Sequence, residues 1–352
     1  MERTIWRGLA AACALAWAQG TAAAPVADAL VRPALQVAQP QRSVLMGASQ
    51  AGGRLVAVGE RGVIVGSDDG GRSWQQGQVP LSVSLTAVQM LDAKVGFAVG
   101  HSAVVLATND GGKTWRKLTD GVQLAALALQ TAKAAGDAQA LQKAEQLVSD
   151  GPDKPLLCLY FFDARRGMVL GSYNLAFSTQ DGGQSWTSMS DRLDNPKGLH
   201  LYAVSARGQA LVIAGEQGLV FRSDDGGQSF KRLSTPYKGS FFTADLPTDD
   251  EVVLAGLRGN AWRSLDRGQS WSLLPVPAPV SFVASTTPAG QRTVLANQAG
   301  QLFALSDTGL TALPAAAAPP LNSLLALSGG GLLVLGGSGA SLLPAAHTGA
   351  KP

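Results

Sequence analysis

The chain has 352 residues, with 28 Lys and Arg against 25 Asp and Glu and a formal net charge of +3. That balance gives no general pull toward nucleic acid. Three histidines (His101, His200 and His347) and two cysteines are too few for a histidine-built metal site or a disulfide framework.

The N-terminus has the order of a secretion leader. Glu2, Arg3 and Arg7 give a net-positive start, an apolar run extends from Gly8 to Ala18, and small residues follow from Gly20 to Ala24. This predicts a signal peptide over 1–23 and a periplasmic or secreted protein. The run is too short to span a bilayer, and no later segment reaches spanning length. Residues 31–38, VRPALQVA, offer a single strand.

An eight-residue phrase then recurs. It reads SDDGGRSW at 67–74, TNDGGKTW at 108–115, TQDGGQSW at 179–186, SDDGGQSF at 223–230 and SLDRGQSW at 264–271, with a worn copy, LSDTGLTA, at 305–312. A period near 40 residues signals an array of one supersecondary unit. Each period carries four short apolar segments separated by turn signals, as in 84–118, which is one antiparallel sheet. Four strands per 40 residues is a β-propeller blade. Six blades carry the phrase, and 321–343 supplies a seventh with three strands. Pairing 31–38 with that last blade would close the ring and remove its open edge. The expected fold is all-β, a seven-bladed propeller (six is the alternative count) forming one domain over 31–345, with a tail at 346–352.

The phrase sits in the hairpin between the third and fourth strands. Its aspartates (Asp69, Asp110, Asp181, Asp225 and Asp266) can accept turn N–H groups, and the next glycine supplies a positive φ. Its aromatics (Trp74, Trp115, Trp186, Phe230 and Trp271) are expected to cover the seams between sheets. A calcium loop needs more oxygen ligands and a closing Glu, which none of the copies has. No metal or cofactor is expected.

Between the second and third phrases lies an insertion, 121–153. Residues 122–135 carry apolar groups at helical spacing, Gly136 stops the run, and Asp137 can cap a second helix over 138–149. Leu141, Ala144, Leu147 and Val148 line one face of it. This is an expected αα-hairpin, either a tolerated insertion or a docking element.

Because strands alternate direction, the aspartate phrases share one face with the strand one-to-two turns. The two-to-three turns share the opposite face with the links between blades. Those turns keep their glycines and vary between them: GERG at 59–62, GHSA at 100–103, GSYN at 171–174, GEQG at 215–218, GLRGN at 256–260, ANQAG at 296–300 and GGSG at 336–339. This places Glu60, Arg61, His101, Tyr173, Asn174, Glu216, Gln217, Arg258, Asn260 and Gln298 on one rim, joined by Asn195, Lys197, His200, Tyr237 and Lys238 from the links. A constant scaffold presenting changeable groups suits partner recognition; turn polarity from simple hydration is the other reading.

The cadence of Gly-turn, short strand, S/T-x-D-G-G-x-S/T-W and polar strand, best seen at 59–74 and 215–230, resembles the Asp-box (BNR) repeat. Over roughly 42–312 the chain looks most like the photosystem II stability/assembly factor type of propeller. That resemblance implies a non-catalytic helper that binds and stabilises a membrane protein complex. Exported bacterial relatives of this type are associated with RND-type transporters, so a transporter complex is the implied partner.

Sialidases also carry Asp boxes, which makes a glycan-processing or glycan-binding propeller the alternative. Their arginine motif has only Val31-Arg32-Pro33 to match it here. Arg61, Arg258 and Glu216 are the groups such chemistry would use. Asp-box xyloglucanases share the phrase but need a longer chain. No catalytic Ser-His-Asp elbow, P-loop or zinc spacing is present, so no catalytic residues are assigned.

Overall fold

The computed structural model describes residues 28–288, 292–314 and 320–344. The expected leader at 1–23 and tail at 346–352 lie outside them. Among the described residues there are seven antiparallel sheets, six of four strands and one of three, each made of consecutive strands in chain order.

The first strands are Leu45–Ala51, Leu85–Met90, Leu156–Phe161, Leu201–Arg207, Phe241–Asp245, Phe282–Thr286 and Leu321–Ala326. Each lies beside the next, and the last lies beside the first, so the seven blades close around an axis. Second strands such as Arg54–Gly59 and Ala210–Gly215 are buried along their whole length, because both faces pack on neighbouring blades.

The core is one apolar layer per seam. Val56, Val58 and Ile64 of blade one meet Leu85, Val88 and Leu106 of blade two. The same arrangement recurs around the ring. In blades one to five the phrase aromatic packs in the seam with the blade before it, Trp115 in the first seam and Trp186 in the second.

Closure occurs differently from the expectation. Residues 31–38 form no strand, and the last sheet keeps three strands among the described residues. The segment instead lies along the outer edge of blade one. Ala34 N donates to Val79 O at 3.0 Å, and Gln76 exchanges bonds with Val37 N and Leu35 O at 2.9 Å each. The ring is shut by packing: Leu333 and Leu335 of blade seven cluster with Leu45, Leu55 and Val65 of blade one. Asn322 Nδ2 donates to Leu45 O at 3.0 Å across that seam.

The helical insertion forms as α1 (Gly121–Ala135) and α2 (Ala138–Asp150) between blades two and three. Asp120 caps α1 by accepting from Val122 N and Gln123 N, Gly136 ends it at φ 69°, and Asp137 caps α2. Leu124, Leu127 and Leu147 pack on the blade two–three core. Val148, expected on the packed face, is 45% exposed.

The aspartate hairpins are less buried than a core anchor would be, and their strength lies in saturation. Asp225 Oδ1 accepts from Ser223 Oγ, Gln228 N and Ser229 N, and Oδ2 accepts from Ser229 Oγ at 2.6 Å. Asp69, Asp110, Asp181 and Asp266 repeat this pattern. All five are half-exposed or exposed, which corrects any picture of buried carboxylates. The worn copy makes no such hairpin, since Ser306 to Gly309 turn tightly and Asp307 is 90% exposed.

The serine and backbone donors hold Asp181, Asp225 and Asp266 down at about 2, and Asp69 still lower. At Asp110 partial burial pushes upward, but the bonds from Thr114 and Thr108 prevail and its carboxyl also titrates low. Depressed folded values stabilise above the unfolded value near 3.8, and that stabilisation is lost as pH falls through about 2. Far-UV circular dichroism should therefore show the sheet intact at pH 4 and lost only near the bottom of that window. An unfolding midpoint at or above pH 4 would contradict the assignment.

Candidate functional site

Backbone bonds fix two distinct faces. On one, the aspartate hairpins of blades two to five bond the strand one-to-two turn of their own blade, as in Gly226 N to Gln209 O at 3.0 Å. On the other, each two-to-three turn bonds the link that precedes its blade. Glu60 N donates to Val44 O, His101 N to Ser84 O, Ser172 N to Pro155 O, Glu216 N to His200 O and Leu257 N to Ser240 O.

The glycine that ends each second strand lets this happen. A Cβ on Gly59, Gly100, Gly171, Gly215 or Gly256 would stand 2.0–2.3 Å from a link carbonyl oxygen. Their φ values are extended, so the requirement is one of space. Blade six carries Asn297 at this place, and its turn takes another form, held by Asn297 Nδ2 donating to Gln301 Oε1.

In blades one to five the turn is a single 3₁₀ turn whose middle residue is left-handed: Arg61, Ser102, Tyr173, Gln217 and Arg258 have φ between 52° and 56°. All but Ser102 are exposed. A bulky residue in that region is disfavoured by roughly 1–2 kcal/mol. Side chains kept there against such a bias are candidates for a role beyond stability.

The predicted rim residues do not form one site. Tyr173, Asn174 and Glu216 are brought together through two link residues. Buried Asn195 donates to Asn174 Oδ1 at 2.9 Å, and His200 donates its backbone N–H to Glu216 Oε2 at 3.2 Å. The His200 ring lies 4.8 Å from Tyr173 and 5.8 Å from Tyr202, and Tyr202 meets Phe242 edge-on at 5.2 Å. Burial, and then the charge of Glu216, push the Tyr202 hydroxyl up. Lys154 stands 5.5 Å over the Tyr173 ring. The result is a run of aromatic rings across blades three to five.

Arg258 sits beside this path, with Tyr237 OH donating to Leu257 O of the same turn. Asn260 Nδ2 bonds back to that carbonyl and serves its own turn. Glu60 and Arg61 of blade one, His101 of blade two and Gln298 of blade six occupy other sectors. Arg61 of blade one is thus set apart from Glu216 of blade four and Arg258 of blade five, and the Glu216 carboxylate accepts the His200 backbone N–H.

Sequence reasoning missed Tyr202 and Phe242. In every blade the first strand slips register after its first residue, leaving the second residue outside the ladder. These bulged residues are Met46, Thr86, Leu157, Tyr202, Phe242, Val283 and Asn322. Five of them line an axial cavity of about 290 Å³. Aligning the strand starts (LM, LT, LL, LY, FF, FV, LN) would have exposed the position. Among the described residues no group of three metal-ligating side chains occurs, and no helix is long and apolar enough to cross a membrane.

Residues 47–151 and 137–310 match the family model described as photosynthesis system II assembly factor YCF48. No curated protein matches the chain. Among solved structures it is similar to YCF48 from Cyanidioschyzon merolae, with 13% identity over 86% of this chain and 95% of that one, at a TM-score of 0.63. It is also similar to a GH74 xyloglucanase from Xanthomonas campestris, with 13% identity over 88% of this chain and a TM-score of 0.60. This chain covers 53% of that enzyme's length. PorZ, a surface component of the type-IX secretion system of Porphyromonas gingivalis, is similar at 11% identity over 86% of this chain and 37% of that one, with a TM-score of 0.54. At these identities the likenesses show the propeller fold alone.

Proposed function

The chain belongs to the photosystem II assembly factor YCF48 family, and on that premise we propose that it is a non-catalytic propeller that binds and helps assemble a membrane protein complex. The observation that carries this reading is the link face. There, exposed left-handed residues and a half-buried aromatic path stand on a rigid ring, while the opposite face uses its aspartates to hold its own turns. Rigid scaffold, variable turns and exposed aromatics suit protein recognition.

The partner in this proposal is an RND-type transporter, which the family resemblance suggests, and the place of action is the periplasm, which the leader-like order of residues 1–23 suggests. Capture from solubilised membranes after mild cross-linking tests the reading. Charge reversal at both Arg61 and Arg258 is expected to lower capture roughly tenfold with the melting temperature unchanged. Undiminished capture sinks the assignment of this face. Retention on a polysaccharide column, or hydrolysis of a fluorogenic glycoside, would favour a glycan-directed propeller instead.

A further inference from the structure

Among the described residues, blade seven is the one sheet that ends on its third strand. In blades one to four the third strand is buried along its whole length beneath a fourth. In blade seven that strand, Gly339–Leu343, is itself the outer edge, with Ser341 exposed and Leu342 40% exposed. The register of the sheet fixes which backbone groups point out. Leu327 N donates to Gly331 O at 3.1 Å, so Leu333 and Leu335 bond the first strand, and Leu332, Val334 and Gly336 bond the third. Their partners there are Leu343, Ser341 and Gly339. Ala340 and Leu342 therefore turn their N–H and C=O groups outward, and among the described residues nothing bonds to them.

Bare sheet edges are commonly blunted by brevity or by charge. Blades one, three and five end on strands of two residues, and blades two and four end on strands that carry Arg116, Lys117, Lys231 and Arg232. Blade seven does neither. From Thr293 to Pro344, in a chain that is 15% charged, the single charged residue is Asp307. The adjoining edge of blade six, Gly309–Ala312, is uncharged as well. On the other side, Leu35 and Val37 of the segment along blade one are 77% and 43% exposed. The short turn Pro40–Arg42 that follows them packs on the third strands of blades one and seven. An uncharged wall with exposed apolar side chains beside an unpaired edge has the composition of a surface covered in an assembly.

We infer that a second copy of this chain covers it, by antiparallel pairing of Gly339–Leu343 with the same strand of the other copy. A twofold axis through Ser341 sets Ala340 of each copy opposite Leu342 of the other. These are the outward-facing residues, so every outward N–H meets an outward C=O. The small side chain also stands beside the large one on one face of the sheet. The uncharged wall meets itself without like-charge repulsion. A foreign strand would leave its own far edge bare, whereas the twofold leaves none. Neither face of the ring is used, so the inference is independent of the link-face reading.

Sedimentation velocity of the purified protein from about 1 to about 100 μM is expected to show a monomer–dimer equilibrium. Ala340→Pro removes an outward N–H and leaves the bonds to the second strand in place. Leu342→Lys gives the edge a charge of the kind that blades two and four carry. Each is expected to weaken dimerisation roughly tenfold or more, while Leu273→Lys on the edge of blade five leaves it unchanged. Ser341→Cys should form a disulfide-linked dimer under mild oxidation, because the twofold sets the two sulfurs side by side. Ser338→Cys, at the exposed hairpin tip, should not. Unchanged melting temperatures establish that the variants fold, and Ser341→Cys reads the pairing even where Ala340→Pro does not. A monomer throughout that range with no more cross-linking from Ser341→Cys than from Ser338→Cys would overturn the inference. So would a dimer that survives both Ala340→Pro and Leu342→Lys, or one that appears only when residues 345–352 are deleted, since the chain's own tail would then be the cover.

Discussion

Gly215→Ala is expected to destabilise the protein by about 3 kcal/mol or more, because a methyl group cannot share space with backbone. Its Cβ would stand 2.2 Å from His200 O, and the nearest remaining atoms are also main chain. Relief would require the link into blade four to move. That link positions His200, whose carbonyl receives Glu216 N and whose own N–H meets Glu216 Oε2 at 3.2 Å. The substitution should therefore lower the urea midpoint and disorder the aromatic path together. Gly329→Ala is the control, since nothing lies within 4 Å of its Cβ position and its φ is not positive; it should change stability by a few tenths of a kcal/mol. Equal behaviour of the two variants would show that the turn-to-link contact does not govern the face.

The second large effect concerns Asp245, at the end of the first strand of blade five. At this layer neighbouring blades are stitched by neutral groups. Ser49 Oγ accepts from Met90 N at 2.9 Å, and Gln89 exchanges bonds with the Phe161 backbone. Blade five places a carboxylate there instead, beside the Ser285 hydroxyl, which also contacts Thr243. Burial pushes the Asp245 carboxyl up to about 6, against the pull of the Ser285 and Thr287 hydroxyls. Its Oδ2 is buried with no hydrogen-bond partner among the described residues.

A raised folded value means that the protonated form fits the seam. Stability therefore falls as pH rises from about 4 to about 6 and stays lower above that. Asp245→Asn keeps the shape and removes the charge. The variant should be more stable than the parent by up to about 3 kcal/mol at pH 7.5 and should lose that advantage at pH 4. A stability difference independent of pH would refute the account of this seam.

The repeat was legible because blades one to five share the same two devices. Hairpin N–H groups need an aspartate and a hydroxyl at fixed offsets, and the crowded strand end needs glycine. Both leave residues of one type at a constant period. The helical insertion was legible from Gly136 and Asp137, whose capping roles are local. Ring closure was not. Residues 31–38 have the apolar spacing of a strand, but a strand needs a backbone partner, and Gln76 offers side-chain bonds to Leu35 and Val37 instead. The seam itself closes through Leu333 and Leu335 on Leu55 and Val65, a contact between the two ends of the sequence that has no local signature.

The candidate site was legible in part. The turns announced Tyr173, Gln217 and Arg258 through their glycine frame. Tyr202 and Phe242 were hidden because alternation counts every residue, and a bulge removes one from the count. Asp245 carries no local signal, and Leu246-Pro247 follows it directly. Its burial arises from Ser285 and Thr287 of the next blade, some forty positions away.

The most direct test places a photo-cross-linking residue at Gln217 or at Gln228 in cells carrying the intact membrane partner. Both are exposed glutamines of blade four, one on the link face and one on the aspartate-hairpin face. The account predicts adducts with the membrane protein from position 217 and none from position 228. Adducts from position 228 with none from position 217 would contradict it.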